Sequence, residues 1–547
     1  MNPNSESRSS EHGAASGGGV RRTVALSLVG LGLGIAFEVL FYGHPPGLSF
    51  FVFCALCLGA AALGAGLERL RPAASAWLAA ALALLFAAST FQRQEPLTVF
   101  LGVGFALFYL AVVVRVFRFG RLFRFGWIDL AVAFFWVPLE AWIRPWGTVG
   151  DAWRRTVRER GGRRVFFSVL RGLLLSLPLV VVFLALLSSA DLVFGDYVAD
   201  VLRWIDLERL ADWTARAVVI LASGLYLLGA LVAALRDPGD RRLVGEDPPL
   251  VRPFLGFTET TIVLTLVNLV FLLFVLVQFA YLFGGQANIH VAGYTYAEYA
   301  RRGFGELVAV GFLALGMIYA LAASTRFDGR GRRAGFFGLC AALVGLVGVM
   351  LFSAFQRLVL YEQAYGFSRL RTYTHVAIVW LAVGFVVFLG LLLLRRLRAV
   401  ALAAMILASG FGATLAVLDV DAFIVDRNAA RYEATGDLDI AYLSMLSDDA
   451  VPALVRLAPR TEGDVRRDLL AELSCRRNEI ERTIGHLEWP SEHASRRRAL
   501  STLASLDSLL DVYPVYRDAG GYQGPRSPTY LVKTGGAFVP CAGIGWD

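Results

Sequence analysis

Apolar runs of roughly 20 residues, nearly all free of charge at their centres, recur along this chain from Thr23 to Leu418. One such run fits a buried helix. A long series of them is a polytopic membrane protein, because a segment in hydrocarbon must satisfy its backbone N–H and C=O groups internally. The runs fall at 23–41, 48–66, 74–91, 97–114, 167–189, 214–235, 258–283, 305–324, 335–356, 373–394 and 399–418, and each predicts one spanning helix. Beyond Leu418 the period becomes that of soluble helices. Leu469, Leu473, Ile480, Ile484 and Leu487 follow Thr461-Glu462 at helical spacing, and Ser447-Asp448-Asp449 caps another short helix. A third opens at Ser491-Glu492 after Pro490 and closes near Tyr513-Pro514.

Charge orients these elements. The connecting segments alternate between Arg-rich and Arg-poor. One set holds Arg69 and Arg71; Arg115, Arg118, Arg121 and Arg124; Arg236, Arg241 and Arg242; Arg326, Arg330, Arg332 and Arg333; and Arg395, Arg396 and Arg398. The other set has Gly43–Gly47 without charge, a lone Arg93, and an acidic stretch with Asp191, Asp196, Asp200, Asp206, Glu208 and Asp212. The first set belongs in the cytoplasm. Trp127–Trp146 breaks the alternation: it is apolar, yet carries Asp129, Pro138, Glu140 and several Trp, and Arg-rich segments flank both ends. It reads as a helix lying in the cytoplasmic interface.

The fold class expected is all-α: a transmembrane helix bundle of about eleven spans plus one interfacial helix, with a small C-terminal extracytoplasmic helical domain. Residues 1–22 read as a disordered cytoplasmic tail, 23–418 as the membrane domain, 419–515 as the outer helical domain, and 516–547 as an extended or disordered tail. Thr23–Phe41 leads into Tyr42-Gly43-His44-Pro45-Pro46 rather than a small-x-small cleavage site, so it is read as an uncleaved span.

Composition agrees: 57% of the 547 residues are hydrophobic, with a mean hydropathy of +0.60. The net charge of +8 does not signal nucleic acid, since the basic residues sit in short clusters between apolar runs rather than on a face interleaved with aromatics. The lipid bilayer is the expected partner. Cys54, Cys57 and Cys340 lie in spans and read as small buried hydrophobes. Cys475 and Cys541 fall on the outer side, where a disulfide is chemically compatible; spacing alone does not decide it.

Motifs exclude more than they assign. There is no G-x-x-x-x-G-K-[ST], no H-E-x-x-H and no G-x-S-x-G, and none of the six His makes an i,i+4 pair; no metal site and no cofactor are expected. Gly30-x-x-x-Gly34 and Ala60-x-x-x-Gly64 suit close helix packing. Thr258, Thr261, Thr265 and Asn268 line one face of their helix, either as polar glue or as part of a substrate path, and Pro178 suits a kink.

Membrane-centre charges are nearly missing, and chemistry-bearing residues concentrate in two outer loops. The stretch 294–306 brings Glu298, Arg301, Arg302 and Glu306; the stretch 361–375 brings Tyr361, Glu362, Tyr365, Arg369, Arg371 and His375. Such a set is either an interfacial aromatic belt with mutual ion pairs or a pocket for an anionic or sugar-like group. In a pocket, Arg would supply forked donors, Tyr flat surfaces, and Glu an acid or base.

These stretches also carry a resemblance. Thr295-Tyr296-Ala297-Glu298-Tyr299-Ala300-Arg301-Arg302-Gly303-Phe304 and Glu362-x-x-Tyr365-Gly366-x-x-Arg369-x-Arg371 resemble a bacterial membrane family known as domain of unknown function 4173, related to the 4153 group. Leu186-Leu187-Ser188-Ser189-Ala190-Asp191, Tyr281-Leu282-Phe283-Gly284-Gly285, Leu40-Phe41 with Gly47-Leu48-Ser49, and Asp439-x-x-Tyr442-Leu443 extend it. The resemblance implies an integral protein of the bacterial cytoplasmic (inner) membrane and carries no activity. Three classes of function stay open: an envelope sensor or scaffold, a transporter, or a membrane enzyme acting on a lipid-linked or envelope glycan substrate. The partner is correspondingly an envelope glycan, lipid or protein.

Overall fold

A computed structural model describes residues 4–117, 120–147, 207–236, 253–283, 304–327, 329–486, 488–517 and 530–541, with isolated positions between 171 and 197. Among these the chain is overwhelmingly helical. Nine helices among the described residues are long and apolar enough to cross a membrane. In chain order the helices are α1 (Asn4–Phe41), α2 (Leu48–Glu68), α3 (Ala74–Gln92), α4 (Pro96–Val116), the short α5 (Trp127–Ala131), α6 (Leu207–Leu235) and α7 (Phe257–Phe283). Next come α8 (Phe304–Ser324), α9 (Arg330–Tyr365), α10 (Arg369–Leu393) and α11 (Ala399–Leu418). Of the eleven apolar runs, 167–189 lies mostly outside the described residues, and α8 carries a shorter apolar stretch, Ala309–Ser324. This is a multi-pass membrane protein.

The chain divides into two compact units. The first comprises residues 1–81, 108–120 and 132–239. In it α1 lies along α6, and the glycine pair explains how. A Cβ on Gly34 would stand 2.3 Å from the Ile220 carbonyl oxygen, and one on Gly30 would stand 2.8 Å from the Leu228 Cβ. The G-x-x-x-G spacing therefore lets two backbones meet. An ion pair closes one end of the contact, Arg216 to Glu38 at 3.2 Å; at the other end Arg236 donates to the Thr23 hydroxyl at 3.1 Å and pairs with Glu68 of α2 at 2.8 Å.

The second unit comprises 82–107, 121–131 and 240–547. Leu264, Ile318, Phe336, Leu343 and Phe385 belong to one buried core that joins α7 to α10. A second core begins with Leu415 of α11 and continues through Ile424, Leu454, Leu469, Leu503 and Val532. The helices after Leu418 are thus packed onto the last span. They are α12 (Val420–Thr435), α13 (Ile440–Ser444), α14 (Val451–Leu457), α15 (Gly463–His486), α16 (Ala494–Leu503) and α17 (Asp507–Leu510).

Within the stretch read as a tail, β2 (Tyr530–Thr534) and β3 (Ala537–Pro540) form a hairpin, and β1 (Val515–Arg517) pairs antiparallel with β2. Gly535 and Gly536, at φ 57° and 85°, make the two-residue turn that such a hairpin requires. Only Val532 of β2 is fully buried, so hydrophobic alternation was too short to announce these strands. Cys541, just past β3, forms a disulfide with Cys475 of α15, with the Cα atoms 5.5 Å apart.

Candidate functional site

The stretch 361–375 is not a loop. Helix continues to Tyr365, three residues turn the chain, and α10 starts at Arg369. Hydropathy ends the span at 356 because Gln356 and Arg357 are polar, yet the helix α9 continues past them to Tyr365. The turn depends on Gly366: it sits at φ 75° and ψ 177°, a region open essentially to glycine alone. A Cβ there would also stand 2.6 Å from Asn428 Oδ1. That amide clamps the next residue, accepting from the Phe367 N–H at 2.7 Å and donating to the Phe367 carbonyl at 3.0 Å.

Most of the polar residues singled out in this stretch brace the turn. Arg369 donates Nε and Nη2 to the two oxygens of Asp421, at 2.8 and 2.6 Å. This is the forked geometry expected of a strong guanidinium–carboxylate pair. The Arg369 N–H also donates to the Tyr442 hydroxyl at 2.7 Å, and Asp421, fully buried, accepts from the backbone and hydroxyl of Ser447. Arg371 donates to the Tyr365 and Gly366 carbonyls, capping α9, and lies 4.2 Å from the centre of the Tyr361 ring. Tyr361 in turn packs on Tyr365. Asp439 caps α13 by accepting from the Tyr442 N–H.

Two residues have no such role. Glu362, only 2% exposed, places Oε1 3.1 Å from Nδ1 of His375. Among the described residues the buried His375 Nε2 has no hydrogen-bond partner, and the Nδ1 contact of Glu362 Oε1 is not a well-formed hydrogen bond. The pair lies in the wall of a groove of about 770 Å³. Phe355, Val359, Val379, Trp380 and Phe423 make its apolar side; Gln363, Arg427 and Thr435 bring polar groups. Phe355 packs on the His375 ring at 4.7 Å. The Arg427 guanidinium sits over the Phe423 and Phe367 rings, 5.0 and 6.0 Å from their centres. It pairs with no carboxylate among the described residues.

The remaining candidates are distributed elsewhere. Glu298, Arg301 and Arg302 lie outside the described residues, and Glu306 is exposed in the first turn of α8. In α7, Thr258 and Thr265 are exposed; Thr261 donates to the Phe257 carbonyl, and Asn268 to the carbonyls of Leu264 and Leu339. Asn268 thus joins α7 to α9 through a backbone acceptor. No group of His, Cys, Asp or Glu suited to a metal occurs among the described residues.

Sequence reasoning missed a second polar centre at the same end of this unit. Glu95 accepts from the Leu97 and Thr98 N–H groups that open α4, and from the Tyr373 hydroxyl. Asp449 accepts from the N–H groups of Gln94 and Glu95 at 2.6 and 3.1 Å. Arg93 donates to Asp419 and to the Ala416 carbonyl. Burial pushes the Asp449 carboxyl up to about 6. It raises Asp419 as well, against the opposing pull of Arg93. The available signals were a charge beginning the segment between α3 and α4, and Asp419-Val420-Asp421 at the end of a span; Ser447-Asp448-Asp449 had been read only as a cap.

A family model described as a domain of unknown function (DUF4153) matches residues 73–457. This chain belongs to the DUF4153 family. The match bears out the link to the 4153 group; it does not show a relation to the 4173 family. The DUF4153 region runs from the start of α3 to the end of α14, so it contains the groove, the braced turn and the Glu95–Asp449 centre. It leaves α1, α2, the sheet and the disulfide outside. No curated protein and no solved structure matches the chain.

Proposed function

We propose that this protein lies in the bacterial cytoplasmic membrane, N-terminus inside, and that its outer end binds the anionic head of a lipid-anchored envelope molecule. The Arg clusters at 330–333, which opens α9, and at 395–398, which precedes α11, support that orientation. The Cys475–Cys541 disulfide supports an oxidising compartment for residues 419–515 and for the segment beyond them.

One observation carries the binding reading. Glu362 and His375 are buried together in the wall of an amphipathic groove, with polar atoms that lack a well-formed hydrogen bond among the described residues. Leaving a buried polar atom unmade costs about 1–3 kcal/mol, so such groups are retained where a ligand completes them; Glu362 Oε1 accepts only, so it takes a hydroxyl or a P–OH of the head, while the anionic oxygens go to Arg427. Arg427 supplies a cation at the groove, and the aromatic wall suits hydrocarbon. A carboxylate beside one imidazole nitrogen also holds the other ready to accept a proton, which favours acid–base chemistry on a bound phosphate ester or hydroxyl as the second reading. The bonding of Asn268 to two carbonyls supports polar glue rather than a transport path at that stripe.

The test is lipid co-purification. The full chain, extracted in mild detergent, is expected to carry an anionic lipid that mass spectrometry detects, and Glu362→Gln and His375→Ala are expected to lose it while remaining monodisperse. Equal recovery from all three proteins overturns the reading.

A further inference from the structure

The groove shares Trp380 with a second cavity, and the two together describe the ligand's tail. The second cavity, of about 510 Å³, is lined almost wholly by apolar groups from α8, α10 and α11. Its wall on α10 runs from Ala377 to Leu391, a rise of roughly 21 Å at about 1.5 Å per residue. That is a large part of the roughly 30 Å of hydrocarbon in a bilayer. Trp380 forms the partition. Its indole N–H donates to the Thr414 hydroxyl at 3.1 Å, and its ring lies flat against Gly410, where a Cβ would stand 2.2 Å from the indole.

We infer that one long hydrocarbon chain of the bound anionic lipid passes Trp380 and occupies this second cavity. The ligand class is thus a phosphate head on a long acyl or polyprenyl chain. The inference rests on the head-group reading of the groove and adds chain-length selectivity to it. Two features commit the cavity to that occupant: its shared wall with a groove that offers Arg427, Glu362 and His375 to a head, and the near absence of polar lining along its length. A lipid chain is the only part of such a ligand that this lining suits.

Gly316 makes the idea testable. It lines the second cavity, and a Cβ built on it meets no atom within 4 Å, so a side chain can be added there without an initial clash. Native mass spectrometry of the full chain would score binding of phosphatidylglycerol with hexanoyl or oleoyl chains and of a long polyprenyl phosphate. Wild type is expected to prefer the long chains by about tenfold or more. Gly316→Leu, and independently Ala404→Phe, are expected to abolish that preference while short-chain binding stays. Glu362→Gln is expected to lose all three. Unchanged preference in both filled variants, with loss in Glu362→Gln, overturns the tail cavity and leaves the head site standing. Binding indifferent to Glu362→Gln overturns both. Between the two long-chain probes, the stronger binder identifies the lipid source.

Discussion

Two pairs of ionisable residues stand within a few turns of one another around Gly366, and the protein treats them in opposite ways. Arg369 and Asp421 meet in a two-pronged bond with both carboxylate oxygens used, and the hydroxyls of Tyr442 and Ser447 join the same cluster. Glu362 and His375 touch, yet among the described residues they keep buried atoms without a well-formed hydrogen bond. The first pair is complete as folded; the second is complete only with something added. A shared motif therefore holds two kinds of residue, and hydrogen-bond satisfaction separates them where residue type did not.

The largest break in that contrast should come from Asp421→Ala. It leaves Arg369, about a quarter exposed, without its counter-charge and removes the acceptor for Ser447. Losing one partner of a buried pair costs roughly 3–5 kcal/mol, so the expected result is severe loss of thermal stability or no recoverable protein. A variant within about 1 kcal/mol of wild type in detergent unfolding would remove the brace from its proposed role.

The Glu95–Asp449 centre should show itself through pH. Burial raises the Asp449 carboxyl from 3.8 to about 6, so the folded state favours its protonated form. Its stabilising contribution is complete below about pH 3.8 and is lost as pH rises through about 6, an effect of roughly 2–3 kcal/mol. Glu472, raised to about 7 by burial despite Arg476, acts in the same sense. Asp449→Asn keeps an acceptor for the Gln94 and Glu95 N–H groups while abolishing the titration. It should raise the unfolding temperature at pH 7.5 and flatten the gain that wild type shows on acidification to pH 5. An unaltered pH profile in the variant would sink the assignment.

Gly366→Ala is expected to cost about 1–3 kcal/mol, since it strains a glycine-only backbone and pushes against the Asn428 amide. The loss should appear in unfolding midpoint, and Asn428→Ala should relieve the steric part of it. No relief in the double variant would show that backbone strain alone carries the cost.

How far these features were legible differs by physical origin. Spans follow from local composition, and the close α1–α6 approach from Gly30 and Gly34 spaced four apart, so both could be read directly. The groove was half legible: Glu362 and His375 were singled out, but as members of a set with Arg369 and Arg371, because residue type cannot tell a paired charge from an unpaired one. The partners that decide the matter lie far along the chain, Asp421 for Arg369 and Tyr373 for Glu95. Helix ends misled as well. Polar residues at Gln356 and Arg357 end the apolar run while the backbone stays helical to Tyr365, since tertiary contacts from α12 hold what hydropathy would release.

The smallest expected effect on stability is the sharpest test of the contrast. Glu362→Gln removes a buried charge and keeps the side chain's shape, so it takes away a desolvation penalty along with one contact to His375. If the pair exists for the fold, the substitution should cost as a broken buried interaction does. If it exists for a ligand, unfolding of lipid-stripped protein should change by no more than about 0.5 kcal/mol in either direction. Added anionic lipid should then stabilise wild type and leave the variant unmoved, because only a state that binds gains by mass action. A variant that is unstable when stripped, yet gains as much from lipid as wild type, would assign Glu362 to the brace beside Asp421 and leave the groove without its polar anchor.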